Sequence, residues 1–360
     1  MSYLLRESLL DPTGVSALSM GNLALLVAQA RNSRLLASLE GELQCAGVLA
    51  QLPETAQRHF EAARLTHEKQ RRDLTYDVDL VRRALATRGV PLVLLKGGAY
   101  IAADLPVSRG RLITDIDILV PRTDLSAAEE TLHEHHWESP QISAYDESYY
   151  RRWSHEIPAL HNSRRDTTLD VHHNILPPTA GPNIDAALLL EDKLEISPGV
   201  YTLSYRDMVI HSATHLFQEG EFHHGLRDVW DLDRMLRDFP GRDAAFWDEL
   251  VERARRLQLE TPLYHGLNYA QQVFGTPIPP AVMARAESPL RRLRKPLMDF
   301  LYLRAFRPNH PATRLPLTGL ALYLLYVRSH YLRMPPHLLL PHLARKAWMR
   351  HKDSAEQAAN

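Results

Sequence analysis

Two aspartates one residue apart, Asp115 and Asp117, stand in the run ITDIDILV at 113–120. An extended chain sends alternate side chains to one face, so this spacing predicts both carboxylates on one side of a strand, with Ile116 and Ile118 on the other. Two like charges held that close repel unless a cation lies between them. A hard divalent ion takes carboxylate oxygens together with substrate phosphates. Upstream, Lys96-Gly97-Gly98 directly follows the aliphatic run VPLVLL. As a glycine-rich turn it would offer backbone N–H groups and one ammonium to phosphates. Arg109 and Arg111 precede the acidic segment, and Asp170 supplies a third carboxylate from a later strand. Taken singly, an Asp-x-Asp pair reads as a solvated strand edge, Gly97-Gly98 as an ordinary turn and Lys96 as a surface charge. In this order, three acids, a glycine turn and several cations predict a phosphoryl-transfer site.

The elements that must position these groups follow from the apolar spacing. Leu23–Ala30 and Leu35–Leu52 carry helical periodicity, and a long polar helix runs from Glu54 toward Arg88, where Gly89 stops it. Val90–Leu95 reads as a buried strand, Ile113–Val120 as the acidic strand ended by Pro121, and Asp124 as the cap of a helix to His136. Glu156–Asn162 and Thr167–Ile175 read as a hairpin, with Asp170 and His172 on one face and Val171 and His173 on the other. Beyond Pro177-Pro178 and Gly181-Pro182 the chain reads as helical: Ile184–Glu195, a helix capped by Ser204, then Leu226–Phe239, Ala244–Leu257 and Pro262–Phe274. Strands thus cluster in the middle, with helices on both sides.

The 360 residues are 45% hydrophobic and 24% charged, an ordinary globular composition. The lone Cys45 can form neither an internal disulfide nor a thiolate cage, which fits a reducing cytoplasm; it reads as a small buried side chain. The opening MSYLLRESLLDPTG lacks a basic stretch followed by an apolar core, so no secretory signal is expected. The longest apolar run, Pro316–Val327, is too short to cross a bilayer. The last residues, DSAEQAAN, read as a frayed end.

Net charge is −1, but it is unevenly spread. Residues 281–352 hold 14 Lys and Arg against Glu287 and Asp299, whereas residues 1–280 hold 28 basic and 39 acidic side chains. The basic segment 285–352, with Tyr323, Tyr326, Tyr331 and Trp348 interleaved, predicts either solvated helix faces or contact with RNA or an anionic membrane surface. Among the 19 histidines, His211 and His215 have the i, i+4 spacing of metal ligands, and His172-His173 or His223-His224 could complete a site. Packing or hydrogen bonding is the plainer reading of these histidines, and the sharper functional one places His215 and Arg227–Asp228 along a nucleotide cleft.

The segment LLKGGAYIAADLPVSRGRLITDIDILV, followed by LDVHHNIL, resembles the uncharacterised nucleotidyltransferase family of the DNA polymerase β-like superfamily. The family pattern falls on Lys96, Gly97, Arg109, Asp115, Asp117, Asp170 and His172, and HSATHLFQEGEFHHGLRDVWDLDRML resembles its helical continuation through His211, His215 and Asp228. The resemblance implies an α+β fold: a mixed sheet with helices, flanked by N-terminal helices and a C-terminal helical domain. The expected division is 1–55, 56–180 and 181–360. It further implies that Mg²⁺ or Mn²⁺ is held by Asp115, Asp117 and Asp170. An NTP would be bound by Lys96, Gly97, Gly98, Arg109, His172 and His215, and its nucleotidyl group would pass to an RNA, a protein or a small molecule. Two other readings compete: a non-catalytic nucleotide- or RNA-binding protein on the same fold, and a histidine-based metal hydrolase.

Overall fold

A computed structural model describes residues 3–220 and 222–341, except for the side chains of Ala144 and Glu219. Trp348 and residues 342–352 of the basic segment, and the terminal DSAEQAAN, lie outside the described residues. The chain opens with helices α1 (Leu4–Leu10), α2 (Met20–Asn32), α3 (Leu36–Cys45) and the long α4 (Glu54–Ala86). Helix α4 buries Phe60, Leu74, Val78, Val81 and Leu85, a stripe of helical period, and ends before Gly89, whose φ of +68° reverses the chain at little cost. Cys45 proves to be exposed. Helix α3 buries Leu36, Leu39 and Leu43 on one face, and Cys45 falls off that face at the helix end.

A six-stranded sheet follows, built from β1 (Leu92–Leu94), β2 (Ile116–Leu119), β3 (Leu160–Asn162), β4 (Thr167–His172), β5 (Leu194–Ser197) and β6 (Val200–Thr202). Its order is β3-β4-β2-β1-β6-β5. Strand β1 runs antiparallel to β2 and parallel to β6, and β2 runs parallel to β4. β1 and β2 are buried at every position, as expected of strands covered on both faces. The short helices α5 (Lys96–Ala102), α6 (Leu125–Glu134), α7 (Ala144–Trp153) and α8 (Ala186–Glu191) connect these strands.

The structure differs from the sequence reading in three places here. Lys96-Gly97-Gly98 forms the first residues of helix α5 rather than a turn. The helix expected over Ile184–Glu195 stops at Glu191, and residues 194–202 form a hairpin around Gly199, φ +76°. That hairpin joins the central sheet through β6, so the sheet continues past the division expected at residue 180. Asp124 stands at the start of α6, but its side chain makes no capping bond.

The remaining helices are α9 (Tyr205–Thr214), α10 (Gly225–Asp238), α11 (Phe246–Arg256), α12 (Glu260–Phe274), α13 (Pro280–Ala286), α14 (Pro289–Ala305) and α15 (Thr318–Arg333). Ser204 caps α9 as read from sequence, accepting from the Asp207 N–H. An aromatic cluster of Phe217, Tyr269, Tyr302 and Phe306 ties α12 and α14 to the π-helical turn His215–Glu219 that prolongs α9. The fold is therefore α+β, a mixed sheet with helical flanks. Among the described residues no helix is long and apolar enough to cross a membrane.

Candidate active site

Asp117 lies on β2 directly beside Asp170 on β4, the two being Cα partners in the parallel register. Asp115 precedes the strand and is half-buried, while Asp117 is buried. The Lys96 Nζ donates to Asp117 Oδ1 at 2.9 Å, and His172 Nε2 meets the same oxygen at 3.1 Å. Lys96 reaches this position from a backbone with φ +47°, a conformation rare outside glycine and concentrated at functional sites. Burial would raise the Asp117 pKa, but the Lys96 charge and the His172 hydrogen bond hold it far below the usual carboxylate range. Asp170 is less well served: burial and then the neighbouring Asp117 charge outweigh the lowering effect of His172 and push it up to about 7.

Behind Asp117, His172 is held between two carboxylates, with Nδ1 3.2 Å from Glu156 Oε2. Burial alone would lower the His172 pKa; its bond to Asp117 and the charge of Glu156 raise it instead. His172 is thus a buried prop for Asp117 rather than part of the cleft wall. Glu156 was not singled out in the sequence because its role depends on an antiparallel bridge to His172 that spacing does not reveal.

The cleft in front of the acids has a volume of about 180 Å³ and is lined by Lys96, Gly97, Asp115 and Asp117 from the sheet side. The helical side contributes His215, Arg227, Asp228 and Asp231, and Arg34 enters from the N-terminal helices. Gly97 fits here because a Cβ would come within 2.7 Å of Ile113 Cγ2; at Gly98 the nearest such neighbour is Leu74 Cδ1 at 3.9 Å, and Gly98 does not line the cleft. The π-helical turn sets His215 on the cleft wall one turn beyond the buried His211, whose pKa burial and then the Lys96 charge drive well below the ordinary value. Burial and the charges of Arg227 and Arg34 bring His224, also on the wall, down to about 4.

Of the two arginines before the acidic strand, Arg111 lines the cleft and Arg109 does not. Arg109 is exposed and lines no part of it. Gly110 decides this: its φ is +69°, and a Cβ there would overlap the backbone of Ala37 and Ser38, so α3 grips the loop between the two arginines. Arg111 Nε donates to Asp231 Oδ2 at 2.7 Å, and its Nη2 lies 3.9 Å from Asp228 Oδ1. Arg227 binds the same Asp228 oxygen through two N–H groups. The signal for Arg111 was its place before the acidic strand; Arg34 and Asp231 had none, since only packing brings α2, α10 and the sheet together.

Among the described residues, one group of three metal-capable side chains has ligand atoms all within 4.8 Å of one another: His155, Glu156 and His172. His211 and His215 do not join such a group with His172-His173 or His223-His224, so the expected histidine site is not assembled. The three aspartates are more widely set. Their chemistry nevertheless fits a hard divalent ion: oxygen donors, Asp170 destabilised by a neighbouring negative charge, and Asp117 already drawn to a cation at Lys96.

A mixed sheet carrying acids on adjacent middle strands, capped by helices, is the layout of a nucleotidyltransferase core. The chain belongs to the uncharacterised nucleotidyltransferase family, whose profile matches residues 20–275. No curated protein and no solved structure matched it.

Proposed function

We propose that the protein is a metal-dependent nucleotidyltransferase that moves a nucleoside monophosphate from an NTP to an acceptor. Asp115, Asp117 and Asp170 hold Mg²⁺ or Mn²⁺ in this reading. The carrying observation is the side-by-side placement of Asp117 and Asp170 on parallel strands, behind a cleft whose walls supply Lys96, Arg34 and Arg227. When bound, the metal supplies charge neutralisation at the phosphates and lowers the pKa of an attacking hydroxyl. The side chains do the rest. Lys96, Arg34 and Arg227 meet the triphosphate, fixed cations where negative charge develops. His172, clamped by Glu156, keeps Asp117 in a single orientation, and Asp170 stands on the acceptor side. His215 and His224 close the helical wall over the nucleotide.

Incubating the protein with each labelled NTP, Mg²⁺ and a cell extract tests this reading. Label on RNA, protein or a metabolite is expected and names the acceptor. No incorporation from any NTP, with Mg²⁺ or Mn²⁺, overturns it.

A further inference from the structure

Next to the acidic cleft lies a larger one, of about 680 Å³, between the end of α14, the loop after it and α15. Arg304, Arg307, Arg314 and Arg333 line it, and among the described residues no aspartate or glutamate does. Elsewhere arginines such as Arg111, Arg165 and Arg253 each face an aspartate. Here the polar contacts of Arg304 and Arg307 are backbone carbonyls, those of Phe300, Pro316 and Thr313. The Arg307 Nε is buried with no hydrogen-bond partner. Four like charges gathered round a concavity without a carboxylate among the described lining residues repel one another, and a polyanion relieves that repulsion. Two tyrosines on the α15 wall, Tyr323 and Tyr326, are 62% and 56% exposed and offer ring faces to planar groups.

The two clefts adjoin. His223 lines the basic one and the next residue, His224, lines the acidic one. The π-helical turn that places His215 ends at Gly220, where a Cβ would fall 2.3 Å from the Ser329 side chain on α15. This close approach packs α15 against the π-helical turn that carries His215.

We infer that the basic cleft binds a single-stranded nucleic acid, whose end reaches the neighbouring acidic cleft as the acceptor of transfer. The inference rests on the transferase reading for the word acceptor, but not for the binding. A phosphodiester chain carries the repeated charge that four unpaired arginines require, and unpaired bases carry the faces that tyrosines stack on. A bilayer surface is planar and does not enter a concave cleft of this kind.

The test is fluorescence anisotropy of labelled RNA and DNA oligonucleotides, single-stranded and duplex, with full-length protein across a salt series. Single strands should bind, with affinity falling steeply as salt rises, because counterions are released from the phosphates. The pair Arg314→Glu and Arg333→Glu should weaken binding by at least about tenfold and flatten the salt dependence. The exposed pair Tyr323→Ala and Tyr326→Ala should weaken it by about tenfold with the salt slope kept, since stacking rather than charge is lost. This second pair decides the matter if the first fails to fold. Binding is read without NTP or metal, so loss of the transferase reading leaves the binding result standing. Equal binding by wild type and both pairs overturns the inference. So does a preference for duplex, or retention on phosphatidylserine vesicles without oligonucleotide binding.

Discussion

The two neighbouring clefts treat charge in opposite ways. In the acidic cleft nearly every charge has a partner fixed by the fold: Lys96 and His172 on Asp117, Arg111 on Asp231, Arg227 on Asp228. In the basic cleft the four arginines gather without a carboxylate among the described lining residues. Paired charges on buried elements give geometry, because each side chain is held from two sides. Unpaired like charges give attraction for a polyanion and little geometry. The contrast separates where bonds are made from where a ligand is held.

The largest expected effect removes one acid from the paired cleft. Asp115→Asn should lower transfer by roughly a thousandfold, the several kcal/mol a bound metal contributes, with little change in melting temperature, because Asp115 is half-buried and outside the Lys96 pair. Wild-type incorporation of label by this variant would sink the assignment. Asp117→Asn is a less clean test, since it also leaves Lys96 and His172 without their shared carboxylate.

Arg111→Met asks whether pairing also holds the cleft together. Two buried aspartates, Asp228 and Asp231, would lose a cation, and breaking a buried pair costs about 3–5 kcal/mol. Urea unfolding should show this loss; an unchanged midpoint would mean that Arg227 alone satisfies the acids.

The buried aromatic cluster around His265 gives a pH signature. His265 packs against Phe217, Tyr269 and Tyr302, and burial, then the charges of Arg328 and Arg291, lower its pKa from 6.5 to about 3. The folded state therefore prefers the neutral ring. Its contribution is fully present above pH 6.5 and is lost as pH falls from there toward about 3, by up to ~5 kcal/mol. His265→Phe should flatten stability over that window in thermal melts. A variant as acid-sensitive as wild type would assign the loss to other groups.

The smallest effect is the sharpest check on the paired cleft. Arg109→Ala should change stability by less than ~0.5 kcal/mol, and transfer hardly at all, because Arg109 is exposed and outside the cleft. A large loss of transfer would show that the loop closes over the nucleotide and brings Arg109 in.

Local pattern carried much of this molecule. The stripe of α4, the apolar run of β1, the alternation around Asp117 and the Ser204 cap depend on neighbours a few residues away, so they were legible in the sequence. The helix expected over Ile184–Glu195 overruns into β5, although Pro198-Gly199 and the alternation of Leu194 and Ile196 with Glu195 and Ser197 mark a hairpin there.

The chain by itself determined which residue types were available for phosphate chemistry and that a basic end faces a more acidic body. Tertiary structure alone decided which of them meet. Asp170 comes beside Asp117 because β2 and β4 pair in parallel, bringing together residues 53 apart in the chain, and Glu156 reaches His172 through a bridge. Arg111 rather than Arg109 enters the cleft because Gly110 is pinned against α3. The basic charges become a lined cleft only where α14 and α15 fold together beside Gly220. Charge and periodicity are properties of a segment, whereas a site depends on distances between segments, which only packing sets.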